Sequence, residues 1–379
     1  MNTVPRTDRS MIGQWWWTVD RVSLLVIFTL ILGGVVFSMA ASPPVAHRLD
    51  LPSFHFVYRQ ILFVVPTLIC LVGFSLLGTR GVRRAAALIF LGGMFLMVLT
   101  LLIGAEVKGA TRWISIGSFT LQPSEFVKPA FVVLAAWFFA EGKRDETIPG
   151  NALSAGLFVL FLGLLVLQPD FGQAILVSLV WGTMFFLAGV SWPWIIGVGS
   201  VGVAGLFVAY QLVPHVSSRV DRFLFPESGD TYQVDKALEA FTHGGVLGKG
   251  PGEGRIKDII PDAHTDFIFA VLAEEYGLIL CLFIVVLFAV IVIRAFARAL
   301  EEVDEFSYIA SCGLAALCGY QAIINMAVNL NLVPAKGMTL PFLSYGGSSL
   351  LSLSITMGML LALTRRRSTF AALQMSVRR

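Results

Sequence analysis

Repeated runs of about twenty consecutive apolar residues constrain this chain more than anything else in it, because that is the length an α-helix needs to cross a hydrocarbon core of roughly 30 Å. Lipid offers the backbone no hydrogen-bond partner, so only helices and closed barrels span it. Barrel strands alternate polar and apolar residues, whereas these runs are apolar on every side. The chain therefore reads as all-α, a polytopic membrane protein with about ten transmembrane helices. Spans are expected near 22–41, 57–78, 85–104, 123–140, 152–167, 174–189, 192–213, 271–293, 307–328 and 347–364. They divide the chain into an N-terminal tail (1–21), a ten-span membrane domain (22–364) and a C-terminal tail (365–379). A large polar loop, 214–263, separates spans seven and eight. The first run is too long for the apolar core of a cleavable signal and reads as the first span. Trp15, Trp16 and Trp17 before it suggest an aromatic belt at the membrane interface.

Orientation follows from where Lys and Arg fall in short loops. Arg80, Arg83, Arg84, Lys143, Arg144, Arg294, Arg298 and Arg365 to Arg367 lie on the side shared by both termini, against Arg48, Lys108, Arg112 and Lys336 on the other. Both ends are thus expected in the cytoplasm and the 214–263 loop outside. A net charge of +3, with no basic tract interleaved with aromatics, gives no reason to expect a nucleic-acid partner. Cys70, Cys281, Cys312 and Cys318 sit in apolar segments without metal-ligand spacing, so neither a disulfide framework nor a zinc site is expected.

Ionisable groups at membrane depth are costly and point to function. Asp266 stands at the mouth of the eighth span, behind a loop with glycine at 244, 245, 248, 250, 252 and 254. Those glycines lack the strand and helix of a nucleotide-binding unit and indicate only flexibility or close backbone approach. Helical spacing would put Asp266, Ala270 and Glu274 on one stripe, its two carboxylates about 12 Å apart, too far for paired acid–base work on one bond. A single catalytic carboxylate, Asp266, is the economical reading, and His264 and Thr265 read first as helix caps. Glu125 and Lys128, three apart at the start of the fourth span, can pair with one another, or Lys128 can meet an anionic ligand beside Lys108 and Arg112. Trp113 is either an interface anchor or a platform for a sugar ring or lipid. Pro123 before Glu125 and Pro169 before Asp170 both suit a helix N-terminus. Gln321, Asn325 and Asn329 make a polar stripe on the ninth span, a pattern that usually joins helices, with Asn329 near enough to the outer face to line a site. Tyr232, Val234, Leu238 and Phe241 share a face of a short amphipathic helix expected to lie on the bilayer. Residues 330–349 read as irregular backbone, tolerated at a membrane only when buried in protein or lining a wet cavity.

Several of these segments together resemble the SEDS family of bacterial cell-wall polymerases: Arg112-Trp113-Ile114, Gln122-Pro123-Ser124-Glu125-Phe126, Gln168-Pro169-Asp170, Pro261 to Ala270 with Glu274-Glu275, and Lys336 to Gly347. The resemblance runs from the first span to the last and favours the FtsW-like division branch over the RodA-like elongation branch. It implies a peptidoglycan glycosyltransferase of the bacterial inner membrane, at the division septum, that polymerises lipid II on the outer face and releases undecaprenyl pyrophosphate. Asp266 matches the family's essential aspartate, Trp113 its loop tryptophan and Lys128 its fourth-span lysine. The candidate substrate-binding set is Arg112, Trp113, Gln122, Ser124, Glu125, Lys128, Asp170, His264, Thr265, Asn329, Lys336 and Ser344. The implied partners are a class B penicillin-binding transpeptidase and other divisome membrane proteins. No cofactor is fixed by the sequence, although a divalent cation (Mg or Mn) held by one carboxylate and substrate phosphates would leave no clearer trace. Two other readings stay open: a lipid II flippase, for which Lys128 and Arg59 would suit a translocation path, and a non-catalytic scaffold that activates the transpeptidase.

Overall fold

The structure is a computed structural model that describes residues 10–107, 110–117, 119–225, 231–334 and 337–365. Thirteen helices occur among them, and the apolar runs form ten of these where the sequence places spans. Eight are long and apolar enough to cross a membrane: α2 (Arg21–Arg48), α3 (His55–Ser75), α4 (Thr79–Ile103), α5 (Pro123–Arg144), α6 (Gly150–Leu167), α8 (Trp192–Leu212), α11 (Ile268–Ala299) and α12 (Glu305–Asn329). Two more, α7 (Phe171–Leu187) and α13 (Gly347–Leu363), are apolar helices of 17 residues.

Burial sorts them into shells. The most apolar windows of α5 and α12 are 83% buried, and every residue of α13 after Gly347 except Leu351 is buried, so these three form the centre. The same window of α8 is 0% buried, so its apolar surface is left for lipid. Small residues let the central helices close up: a Cβ at Gly358 of α13 would lie 2.7 Å from Phe74 of α3, and one at Gly313 of α12 would lie 2.7 Å from Val132 of α5.

The first helix, α1 (Met11–Thr18), is capped by Ser10, whose hydroxyl accepts from the Gly13 N–H. Trp15 does not serve the interfacial belt: it is buried, and its indole N–H donates to Ser75 Oγ at 2.9 Å, while Trp16 and Trp17 stay exposed beneath the Arg21 guanidinium. Asp20 caps α2 and receives two hydrogen bonds from Arg294 at 2.7 and 3.0 Å, tying the start of the first span to the far end of α11.

Between α4 and α5 the chain forms an element not anticipated from its sequence, a three-stranded antiparallel meander of β1 (Ala105–Val107), β2 (Ala110–Ile116) and β3 (Phe119–Leu121). Ile114 of β2 pairs with Leu121 and Ser115 with Thr120, which fixes Arg112 and Trp113 on a rigid strand beside the entry to α5.

The long loop holds two helices, α9 (Pro214–Leu224) and α10 (Tyr232–Gly244). The helix α10 was expected to rest on the bilayer. Instead its small-residue face, Ala237, Ala240 and Gly244, is buried, and Phe241 packs on Phe269 of α11 with ring centroids 5.6 Å apart. The glycines that follow are docked on α11. That helix is interrupted at Gly277 (φ 79°, ψ −177°), and the chain from Gly245 to Gly250 pairs with the break. Lys249 and Gly250 donate to the carbonyls of Glu274 and Glu275, and Leu278 donates to that of Gly245. A Cβ at Gly248 (φ 81°) would sit 2.2 Å from the Glu275 carbonyl oxygen, so glycine is required there for close approach to another backbone.

Candidate active site

Asp266 lies just outside α11, in a turn that begins at Asp262 (φ 54°) and ends at the N-cap residue Phe267. The expected stripe of Asp266, Ala270 and Glu274 is therefore broken, because helical spacing starts only at Ile268. Nor do His264 and Thr265 cap the helix, since no side chain of the N-cap residue bonds there. The cap comes from another helix: Asn329 Oδ1 of α12 accepts the Ala270 N–H at 3.1 Å. Asn329 Nδ2 and Asn325 Nδ2 both donate to the Asp266 carbonyl at 2.9 Å, and Asn325 also donates to Met338 O at 2.6 Å. One turn deeper, Gln321 Nε2 donates to Thr339 O at 3.2 Å. The stripe on α12 thus joins helix to irregular backbone, clamping both the Asp266 turn and the 338–339 segment.

That second segment is buried in protein. Met338, Leu340, Phe342 and Leu343 are in the core, and Gly34 of α2 leaves room for the Phe342 carbonyl, which a Cβ would approach to 2.1 Å. Ser344 Oγ donates to the Thr265 carbonyl and accepts the Leu340 N–H, while the Tyr345 N–H donates to the His264 carbonyl at 2.9 Å. His264 packs its ring 4.4 Å from Phe56 and 5.4 Å from Tyr345. A Cβ at Gly337 would meet Asp266 Oδ2 at 3.0 Å, so this glycine borders the carboxylate directly.

Below the turn, Lys128 is 1% exposed, and its ammonium donates to Glu125 Oε1 (2.9 Å), Gln173 Oε1 (2.9 Å) and Gln321 Oε1 (3.4 Å). All three of its donors are engaged, so Lys128 organises the core beneath the site from within the protein. Hydrogen bonds link Glu125, Lys128 and Gln173 to Gln321, which holds Thr339, while Asn325 joins the adjacent Met338 carbonyl to that of Asp266. Ser124 is buried beside Glu125 at the start of α5. Glu274, fully buried, has a different task from the one its spacing suggested. Its carboxylate accepts the N–H groups of Arg255, Ile256 and Lys257 at 2.8, 2.9 and 3.1 Å, holding the loop that leads back to Asp266.

A second group converges from the β meander and α7. Asp170, the N-cap of α7, accepts from Arg112 Nη1 and from Gln122 Nε2, each at 3.3 Å, and Arg112 Nη2 donates to Pro169 O at 2.9 Å. The Gln122 N–H donates to Ser348 Oγ at 3.2 Å. Trp113, next along β2, is half-buried. Lys108 and Lys336 lie outside the described residues.

Arg219 of α9 was missed by sequence reasoning. It is half-buried, and burial, then the neighbouring guanidinium groups of Arg112 and Arg222, pull it below the ordinary arginine range, while Asp170 and Asp266 oppose them. Arginine stays charged regardless, so Arg219 feels the charges of Arg112, Arg222, Asp170 and Asp266 at once, and an anion reaching Arg112 and Arg219 would be stabilised. The available signal was a helix entered by Pro214 with Arg219 and Arg222 three apart on one face.

Residues 21–369 match the family of cell cycle proteins that comprises FtsW, RodA and SpoVE. The chain belongs to that family. This FtsW/RodA/SpoVE member is 47% identical over 363 residues to a probable peptidoglycan glycosyltransferase FtsW of Caulobacter vibrioides, covering 96% of this chain and 93% of that one. It is 38% identical to the protein of the same description from Trichlorobacter lovleyi, over 90% of this chain and 92% of the relative. Among solved structures, the rod shape determining protein RodA of Thermus thermophilus superposes with a TM-score of 0.69 at 26% identity, covering 93% of this chain and 99% of the other. A chain from a peptidoglycan synthase complex, described as coordinating polymerization and crosslinking, superposes with a TM-score of 0.76 at 27% identity, over 92% of this chain and 98% of that one.

Proposed function

We propose that this family member is a peptidoglycan glycosyltransferase that polymerises lipid II into glycan strands. The reading rests on one observation above all, the Asp266 turn gripped by Asn325 and Asn329 and bordered by Gly337. Its relatives' description as glycosyltransferases favours an enzyme over a flippase or a scaffold. In the reaction a sugar hydroxyl of the incoming lipid II attacks the anomeric carbon of the growing chain. The hydroxyl proton passes to the Asp266 carboxylate, the bond from the anomeric carbon to the pyrophosphate oxygen breaks, and undecaprenyl pyrophosphate departs. Arg112 and Arg219 carry the charge developing on that leaving group, as preorganised cations do for transferring phosphates. Trp113, on the strand that holds Arg112, offers a ring face to the sugars. Gln122, Ser124, Glu125, Asp170, His264, Thr265 and Ser344 shape the walls of the site.

Among the described residues no group of three His, Cys, Asp or Glu could hold a metal alone. Were a magnesium or manganese ion to take part, the Asp266 carboxylate is the group that would hold it, and the ion would supply charge neutralisation to the departing pyrophosphate. The Lys and Arg distribution supports placing both termini in the cytoplasm and Asp266 on the outer face. Likeness to a subunit of a polymerising and crosslinking complex supports a class B penicillin-binding transpeptidase as partner, and likeness to FtsW proteins supports the division septum as the place of work. The test is to incorporate the purified chain, with its transpeptidase, into liposomes containing lipid II. Glycan strands with stoichiometric release of undecaprenyl pyrophosphate are expected; lipid II movement between leaflets without strands would favour the flippase.

A further inference from the structure

A cavity of about 840 Å³, with Asp266 absent from its lining, lies between the C-terminal half of α2 and the glycine-rich loop, a volume within the range of roughly 300–1,000 Å³ typical of ligand sites. Its two walls differ in chemistry. On α2 the lining runs from Val36 and Met39 through Pro43 and Pro44 to His47 and Arg48, about 18 Å of helix that is apolar at one end and cationic at the other. The opposite wall carries Lys257, Asp258 and Glu275.

The polar groups ask for a particular kind of ligand. Glu275 is 1% exposed; its Oε1 pairs with the Lys257 ammonium, while its Oε2 has no donor among the described residues. Burying such an acceptor unmet costs about 1–3 kcal/mol, so a donor from a ligand would be favoured. The α2 wall adds acceptors. Pro43 and Pro44 have no N–H to give the carbonyls of Met39 and Ala40 four residues earlier, and both residues line the cavity. Arg48, exposed at the rim, gives one donor to the Ile260 carbonyl at 2.7 Å and belongs to the group best suited to a phosphate. With Arg48 and Lys257 set against Asp258 and Glu275, the cavity is balanced in charge, which favours a zwitterion over a net anion.

We infer that this cavity binds one bilayer phospholipid with a phosphoethanolamine head group. The acyl chain lies along Val36 and Met39, the phosphate meets Arg48, and the primary ammonium donates to Glu275 Oε2. Because Lys257 and Glu275 anchor the loop that runs on to Asp266, the lipid braces that loop against α2. The inference does not depend on the glycosyltransferase reading.

Native mass spectrometry of the full-length protein, stripped in detergent and titrated with single lipids, tests it. Phosphatidylethanolamine should be retained as one bound molecule. Phosphatidylcholine, whose quaternary ammonium has no N–H, and phosphatidylglycerol, a net anion, should bind at least about tenfold more weakly. Met39→Trp, which fills the apolar end, and Arg48→Gln, which removes the phosphate partner, should each lose retention by a similar factor while eluting as folded protein. Equal retention of the three lipids, or wild-type retention by both variants, overturns the inference. So does displacement of phosphatidylethanolamine by equimolar lipid II, which would make the cavity part of the substrate path.

Discussion

Replacing Asn329 with leucine keeps its branching and number of heavy atoms, in a somewhat larger volume, and removes every hydrogen bond by which it holds the Asp266 turn. The lost bonds are Nδ2 to the carbonyls of Asp266 and Asn325, each at 2.9 Å, and Oδ1 from the Ala270 N–H at 3.1 Å. Ala270 N–H keeps a second acceptor in the Phe267 carbonyl, and the Asp266 carbonyl keeps Asn325, so neither becomes an orphan. Interhelical hydrogen bonds in membrane proteins average about 0.6 kcal/mol, with a ceiling near 1.7, so the expected loss of stability is only about 1–3 kcal/mol. Activity should fall further than stability, because a shift of about 1 Å in a reacting group can cost about a hundredfold in rate. Asn325 and Asn329 share one acceptor, so the double variant Asn325→Ala, Asn329→Leu should lose more stability than the sum of the single changes. Thermal melts in detergent and gel-based lipid II polymerisation, run on the same preparations, measure both quantities. Near wild-type polymerisation by Asn329→Leu, or strict additivity in the double variant, would refute the clamp.

Other consequences follow from the same geometry. Gly248→Ala places a Cβ 2.2 Å from the Glu275 carbonyl oxygen at φ 81° and should lower the melting temperature far more than Gly252→Ala, where φ is 85° and the space is open; the latter pays only the conformational cost of about 1–2 kcal/mol. For Asp20, burial raises the carboxyl pKa, but the Arg294 and Ser23 hydrogen bonds and the charges of Arg294 and Arg298 outweigh it and leave the group below its ordinary 3.8. Its contribution is therefore full above that value and fades as pH falls through the lower folded-state value. The melting difference between wild type and Asp20→Asn should hold steady at neutral pH and shrink below about pH 4. A difference that grew on acidification would contradict the pairing. Arg219→Gln should cut kcat/KM for lipid II by about tenfold to a hundredfold, the size of one lost charged hydrogen bond of about 1.5–3 kcal/mol. An unchanged value would remove Arg219 from the site.

Much of this architecture is legible in the residue order because hydrophobic length is a local property. Each apolar run becomes a helix where it stands, and the stripe of Gln321, Asn325 and Asn329 follows from helical spacing alone. The partners of those side chains are another matter, since choosing between a neighbouring helix and an irregular loop needs tertiary structure. Glu274 shows the limit. Helical spacing aligned it with Asp266, yet the helix begins two residues after Asp266, and Glu274 turns to three backbone N–H groups brought in by the loop. The glycine-rich loop was equally opaque: flexible linkers and tightly docked turns use the same residues, and only the break at Gly277 shows which applies. Arg219 escaped notice because its significance lies in Arg112, Asp170 and Asp266, all distant in sequence.

The most direct measurement is single-turnover polymerisation of lipid II by the purified chain with its transpeptidase, comparing wild type with Asp266→Asn. The exchange is nearly isosteric and removes the base while leaving untouched the main-chain carbonyl that Asn325 and Asn329 hold. Glycan strands should disappear while lipid II binding, partner binding and the melting temperature stay at wild-type values. Strands formed at an undiminished rate by Asp266→Asn would contradict the account and place the proton acceptor elsewhere.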